Sequence, residues 1–256
     1  MIAKREKLEH LEVRPIDSCV GQLPDLNHGA VHLWSSRTDL VGDPFSKLLK
    51  TLSSEENQRA RRYRFKENQR EFVSSRGLLR MLIGRYLDVP PEKVTFEYGE
   101  FGKPVLKSFP QLHFNLAHSG NFVLIGFSRS HEIGVDLEEK KSNKERFSSI
   151  AEMICTKNEL GIIKELNPKD AEAALARLWT AKEAYLKWVG TGLQISPDRI
   201  EIPEAVLMGG AAPDRLWSPG APVSEVVHTL YPLPMCEDQL GCSAALVASG
   251  SGSDLG

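Results

Sequence analysis

Asp136 and Glu138 stand two apart in the run "EIGVDLEEK", among apolar, largely β-branched neighbours. Strand side chains alternate between faces, so Ile133, Val135 and Leu137 share one face and Gly134, Asp136 and Glu138 the other. At strand rise the two acids lie roughly 6.6 Å apart. Strands are poor in acids, and two like charges so close repel each other. A solvated face at a sheet edge is the plain account. The chemical account is a divalent cation: Mg2+ prefers oxygen ligands and usually keeps substrate phosphate oxygens in its shell.

A helix-like stretch, "LWTAKEAYLKWV", offers a third carboxylate. Glu183 and Lys187 are four apart and share a helix face. As an exposed ion pair they would be worth about 0.3–0.5 kcal/mol. As part of a cation site, Glu183 would join Asp136 and Glu138, and Lys187 would reach a phosphate or move a proton. "FGKPV" places Lys103 on a stiff corner, because Pro104 fixes its own φ and restricts the residue before it. In "FNLAHSG", Asn115, His118 and Ser119 cluster where a strand is expected to end, and a His can donate to a phosphate. The segment "RARRYRFKENQR" has six basic residues in twelve. It reads as a solvated helix face, or as a surface that meets phosphates or acidic protein.

These residues must be positioned by a chain of 256 residues, 41% hydrophobic and 26% charged, with net charge −2. That size allows one large domain or two small ones. The charge does not indicate a global preference for nucleic acid. Four cysteines, none in CxxC spacing, suggest neither a zinc ribbon nor a disulfide framework, which implies a reduced, cytoplasmic setting. No signal peptide is expected in the first residues, and no apolar run approaches the ~18 residues that span a bilayer.

"VHLWSS" predicts a strand, and residues 53–87 read as largely helical. "VTFEYGEFGKPVL" predicts two strands around a Gly-rich turn, and "LHFNLAHSGNFVLIGFSR" a strand, a polar corner and a strand. After "EIGVDLEEK" come helices at "FSSIAEMIC", "NELGIIKEL" and "AEAALARLWTAKEAYLKWV", the last stopped near Gly190. Pro- and Gly-interrupted strands end in "CSAALVA". The order predicts α+β with two similar halves, residues 31–130 and 131–248, an extension at 1–30 and a flexible tail at 249–256.

"GKP", "FNLAHS", "GVDLE" and "WTAKEAYLK", in that order and after an Arg-rich helix with "SRGLLR", resemble the signature set of the Sfp-type 4′-phosphopantetheinyl transferases. The resemblance covers roughly residues 48–195 and extends faintly to about 248. It implies a single chain whose two α+β halves form a pseudodimer. It implies transfer of phosphopantetheine from coenzyme A to a serine of an apo acyl, peptidyl or polyketide carrier protein, releasing 3′,5′-ADP. Such an enzyme would be a cytoplasmic monomer with no nucleic-acid or membrane partner.

Carried over by residue, the resemblance implies Asp136, Glu138 and Glu183 as ligands of Mg2+, with Mn2+ as the alternative. Lys187 would contact the phosphates and protonate the leaving group. Arg62 and Arg59, Lys103 with Pro104, and Asn115, Leu116, Ala117, His118 and Ser119 would bind coenzyme A. His118 would sit on the 3′-phosphate. Glu159 or Glu183, the latter through a water, would deprotonate the serine, and residues 188–220 would meet the carrier. Ala117 departs from the family's usual Ser or Thr, so a hydroxyl contact is expected to be missing there, with Ser119 as the substitute. Two rivals remain: a metal-dependent nuclease built on Asp136, Glu138, Glu139 and Lys140, and a non-catalytic coenzyme A-binding module.

Overall fold

A computed structural model describes residues 10–16, 23–139, 144–216 and 228–249. The chain opens with β1 (His10–Pro15) and β2 (Ala30–Arg37), then α1 (Gly42–Thr51), α2 (Ser54–Arg62) and α3 (Lys66–Leu87). The hairpin β3 (Phe96–Tyr98) and β4 (Pro104–Leu106) leads to β5 (His113–Ser119) and β6 (Phe122–Ser128). β7 (Ile133–Glu139) begins the second part, followed by α4 (Lys144–Ile154), α5 (Lys157–Glu165) and α6 (Pro168–Val189). The chain closes through α7 (Glu204–Leu207), β8 (Asp214–Arg215), β9 (His228–Pro232), α8 (Pro234–Leu240) and β10 (Cys242–Ser249).

Two four-stranded sheets result, in the orders β1-β2-β6-β5 and β7-β10-β9-β8. β2 and β7 pair antiparallel with the last strand of their parts, β6 and β10, and each of these pairs antiparallel with the strand before it. The α+β class follows directly from strand–helices–strands order in both parts. The expected extension at 1–30 needs correcting: β1 lies within it and pairs parallel with β2, from His10 opposite Ala30 to Pro15 opposite Ser35.

Period-two alternation builds three cores. Trp34, Phe114, Val123, Ile125 and Phe127 turn toward α1 and α3. Val31, Leu33, Ala117 and Leu124 turn the other way and meet Ile133, Val135, Leu137 and Leu246 of the second sheet. That sheet's opposite face, with Leu230, Ala245 and Val247, packs on Leu178, Ala181, Tyr185 and Trp188 of α6. The layers are therefore helix, sheet, sheet, helix, with apolar faces buried throughout.

The helical stretch expected over 53–87 is broken at Tyr63 and Phe65, both extended. Gln69 Nε2 donates to the Ala60 carbonyl at 2.8 Å and Tyr63 packs on Phe72, so α2 folds back along α3. Arg80, 3% exposed, donates to Glu56 at 2.6 Å and to the carbonyls of Pro91 and Val94, fixing α2 against α3. Among the described residues no helix is long and apolar enough to cross a membrane.

Candidate active site

Gly134, Asp136 and Glu138 face α6, as alternation requires. A Cβ at Gly134 would collide with the Ala184 carbonyl and the Trp188 nitrogen, so only glycine lets strand and helix approach this closely. That approach presses the next residues of the face against a helix stripe of Trp179, Glu183 and Lys187. Lys187 Nζ donates to Asp136 Oδ1 at 2.6 Å. Asp136 Oδ2 is buried and has no hydrogen-bond partner. Burial pushes the Asp136 carboxyl up to about 7, against the pull of Lys187, and the nearby Glu138 and Glu183 charges push the same way as burial. The two acids named from the sequence beside Asp136 are thus its electrostatic neighbours in the fold.

Glu138 is held from two sides. Ser119 Oγ donates to its Oε2 at 2.8 Å and Trp179 Nε1 to its Oε1 at 3.1 Å. On β5, alternation separates the expected coenzyme A residues. Asn115, Ala117 and Ser119 face the second sheet; Leu116 and His118 face α3. Asn115 Oδ1 accepts from the Val135 nitrogen at 3.0 Å, a brace between sheets, so this residue has a structural role. Ala117, 2% exposed in the inter-sheet core, is likewise no pocket residue, and a hydroxyl there would be buried among apolar side chains. Leu116 packs at the edge of the first core. His118 is half-exposed, with Nδ1 3.1 Å from Glu71 of α3.

Lys103 is half-buried on its turn, with Nζ donating to the Trp188 carbonyl at 2.9 Å. That carbonyl belongs to the last turn of α6, where peptide oxygens lack intrahelical donors and a cation is favoured. Gly190, at φ +78°, ends the helix beside the lysine stem. Pro104 starts β4 opposite Tyr98. Arg59 lies over the Phe72 ring at 4.8 Å, and Arg62 is exposed at the end of α2. His118 and Ser119 are consecutive on β5, so the Glu71–His118 pair lies next to the Ser119–Glu138 contact.

Glu159 is the clearest correction. It is wholly buried and closes a capping box with Thr156 at the start of α5. Oε2 accepts from the Thr156 nitrogen and from Lys182 Nζ at 2.6 Å, and Oε1 from the Ile202 nitrogen at 2.7 Å. Lys182 donates further to the carbonyls of Ile154 and Pro197. A carboxylate so enclosed cannot reach an incoming hydroxyl; it is a brace. Sequence reading missed Lys182, a cation inside an apolar stretch, and the polar uses of Trp179 and Glu71. An ionisable residue amid "LWTAKEAYL" was the available signal for the first; an indole on an apolar face gave none.

Among the described residues no three Asp, Glu, His or Cys side chains gather closely enough to hold a metal ion by themselves. The donor chemistry nonetheless fits Mg2+, which needs only one or two carboxylates when substrate oxygens complete its shell. The buried, unpartnered Asp136 Oδ2 is the group that calls for such an ion.

Comparison with known proteins converges on one group. Residues 132–216 match the family described as the 4′-phosphopantetheinyl transferase superfamily, and residues 39–129 match the family described as 4′-phosphopantetheinyl transferase, N-terminal. The 4′-phosphopantetheinyl transferase HetI of a Nostoc species is 38% identical over 166 residues, covering 64% of this chain and 70% of the relative. The 4′-phosphopantetheinyl transferase Sfp of Bacillus subtilis is 28% identical over 156 residues, covering 61% and 68%. An L-aminoadipate-semialdehyde dehydrogenase-phosphopantetheinyl transferase of Xenopus laevis is 27% identical over 157 residues, covering 57% and 52%.

Proposed function

The chain belongs to the 4′-phosphopantetheinyl transferases, and on that premise we propose that it moves the phosphopantetheine group of coenzyme A onto a carrier-protein serine at the junction of β7 and α6. The serine oxygen forms a new bond to the β-phosphorus of the diphosphate, the one that bears pantetheine. The bond between that phosphorus and the bridging oxygen breaks, and 3′,5′-ADP leaves. The observation that carries this reading is Asp136: buried, paired on one oxygen with Lys187, and unpartnered on the other.

When bound, Mg2+ supplies charge neutralisation for the diphosphate, and Asp136, Glu138 and Glu183 are the residues that would hold it. Lys187 is 30% exposed at its side chain, enough to exchange Asp136 for a phosphate oxygen and to protonate the departing ADP. With Glu159 enclosed, Glu183 through a water is the candidate that accepts the serine proton. His118, oriented by Glu71, and Arg59 and Arg62 line the edge that would receive the nucleotide phosphate. Lys103 ties the hairpin to the end of α6 and so shapes the same side. The carrier partner is an acyl, peptidyl or polyketide carrier protein. The enzyme acts as a cytoplasmic monomer.

Intact-mass measurement of an apo carrier protein incubated with the enzyme, Mg2+ and coenzyme A tests the reading. The carrier should gain the mass of one phosphopantetheine group. Glu183→Ala should nearly abolish the gain, and full activity in that variant would refute the assignment.

A further inference from the structure

Glu138 stands one residue from the end of β7 and is only partly covered. A glutamate there would ordinarily wander among rotamers, and fixing it costs side-chain entropy. Here both carboxylate oxygens are engaged. The Trp179 indole N–H can only donate, so it specifies an acceptor and cannot turn round. The Ser119 hydroxyl accepts from the Glu139 nitrogen at 3.1 Å, which directs its one hydrogen at Glu138. The donors come from separate elements, β5 and α6, and meet the side chain from opposite sides.

We propose that Trp179 and Ser119 are positioning residues that clamp Glu138 beside Asp136, pre-forming the acidic surface for a divalent cation. The proposal rests on the reading of Asp136 and Glu138 as cation-binding acids. Both act on the cation through the orientation of Glu138, as outer partners of ligating carboxylates commonly do. Trp179 has a packing role as well, being 8% exposed within the α6 core, whereas Ser119 sits at a strand end and is partly exposed. Ser119 is therefore the cleaner probe.

The test is Mn2+ binding by calorimetry to the full chain in the presence of coenzyme A, with Mg2+ dependence of carrier modification as the second readout. Ser119→Ala and Trp179→Phe should each weaken Mn2+ binding about 10-fold. The Mg2+ concentration for half-maximal rate should rise by a similar factor, and turnover at saturating Mg2+ should fall less. Ser119→Thr, which keeps the hydroxyl, should restore most of the affinity. Wild-type Mn2+ affinity in a folded Ser119→Ala protein would overturn the clamp, even if Trp179→Phe proved too unstable to measure. Asp136→Asn separates the two claims. If it abolishes Mn2+ binding while Ser119→Ala leaves the affinity at the wild-type value, the clamp fails and the cation reading stands. If Asp136→Asn binds Mn2+ normally, the cation reading itself fails and takes the clamp with it.

Discussion

α3 and α6 are both 22 residues long, and both end in a left-handed residue, Asp88 and Gly190. At the same point along each stands a buried cation, Arg80 and Lys182. Each cation grips the glutamate of a capping box on an earlier helix: Glu56, boxed with Ser53, and Glu159, boxed with Thr156. Each also donates to the carbonyl of a proline that opens a 3-10 turn after its helix, Pro91 and Pro197. Beyond this clasp the helices part. α6 continues with Glu183, Lys187 and Trp188, where α3 has Met81, Arg85 and Tyr86. On the facing strands, α6 meets Gly134 and Asp136. The Tyr86 hydroxyl of α3 instead hydrogen-bonds His32 and Trp34 of β2. The clasp recurs on both helices and serves their packing; the features confined to α6 are those the proposed chemistry uses. Two lysine–carboxylate pairs on one helix, both 2.6 Å long, are separated by this criterion. In the Lys182 pair both carboxylate oxygens are satisfied and water is excluded. In the Lys187 pair one oxygen has no partner and the lysine is partly exposed.

The comparison breaks most easily at Glu159. Glu159→Gln strips a buried lysine of its counter-charge and should cost about 3–5 kcal/mol, read as a lower denaturant midpoint at unchanged slope. Glu56→Gln should act in the same sense but less, because the Glu56 side chain is 11% exposed. A Glu159→Gln protein that unfolds like wild type yet loses turnover would move Glu159 back among the catalytic groups.

Asp136→Asn should do the reverse. Turnover should fall about 100-fold or more, a loss of about 2.7 kcal/mol in transition-state stabilisation, while unfolding changes little. The charged form is already disfavoured by burial there, and Lys187 can turn to water. A large stability loss with activity retained would make this pair a second brace.

Lys103→Met should release the hairpin from the α6 terminus at a cost of about 1 kcal/mol and chiefly raise the KM for coenzyme A. An unchanged KM would confine Lys103 to helix capping.

The smallest effect concerns His113, on β5 near Lys103. Burial holds its imidazole below the ordinary value; Glu132 opposes this, while Lys103 and His131 reinforce it. The unfolded chain then binds more protons than the native state from the ordinary value of 6.5 downward. Stability should therefore be lost as pH falls below that value and be fully present above it. His113→Gln should flatten this slope of the unfolding free energy between pH 5 and 7 by no more than a few tenths of a kcal/mol per pH unit. An unchanged slope would exclude His113 as its source.

Local pattern was enough for much of this molecule. The alternation in "IGVDLEE" fixed which residues of β7 share a face, and helical spacing put Glu183 and Lys187 on one stripe. The stop at Gly190, the hairpin around "GEFGKP" and the strand pair through "FNLAHSG" were legible for the same reason: each depends on neighbours a few residues away. Other features depend on contacts across the chain. β1 was unreadable because its pairing with β2 supplies what its own short sequence does not. Glu159 looked like a free acid because a capping box is local but the lysine that buries it lies on another helix. Ala117 and Asn115 looked like pocket residues until a second sheet covered their face.

The sequence by itself determined most of the elements and the family, since these are written in short-range periodicity and in motif order. Only the tertiary structure decided which carboxylate is a sealed brace and which is left with an open oxygen. That choice turns on desolvation and on whether every lone pair finds a donor, and both are set by residues far away in the chain.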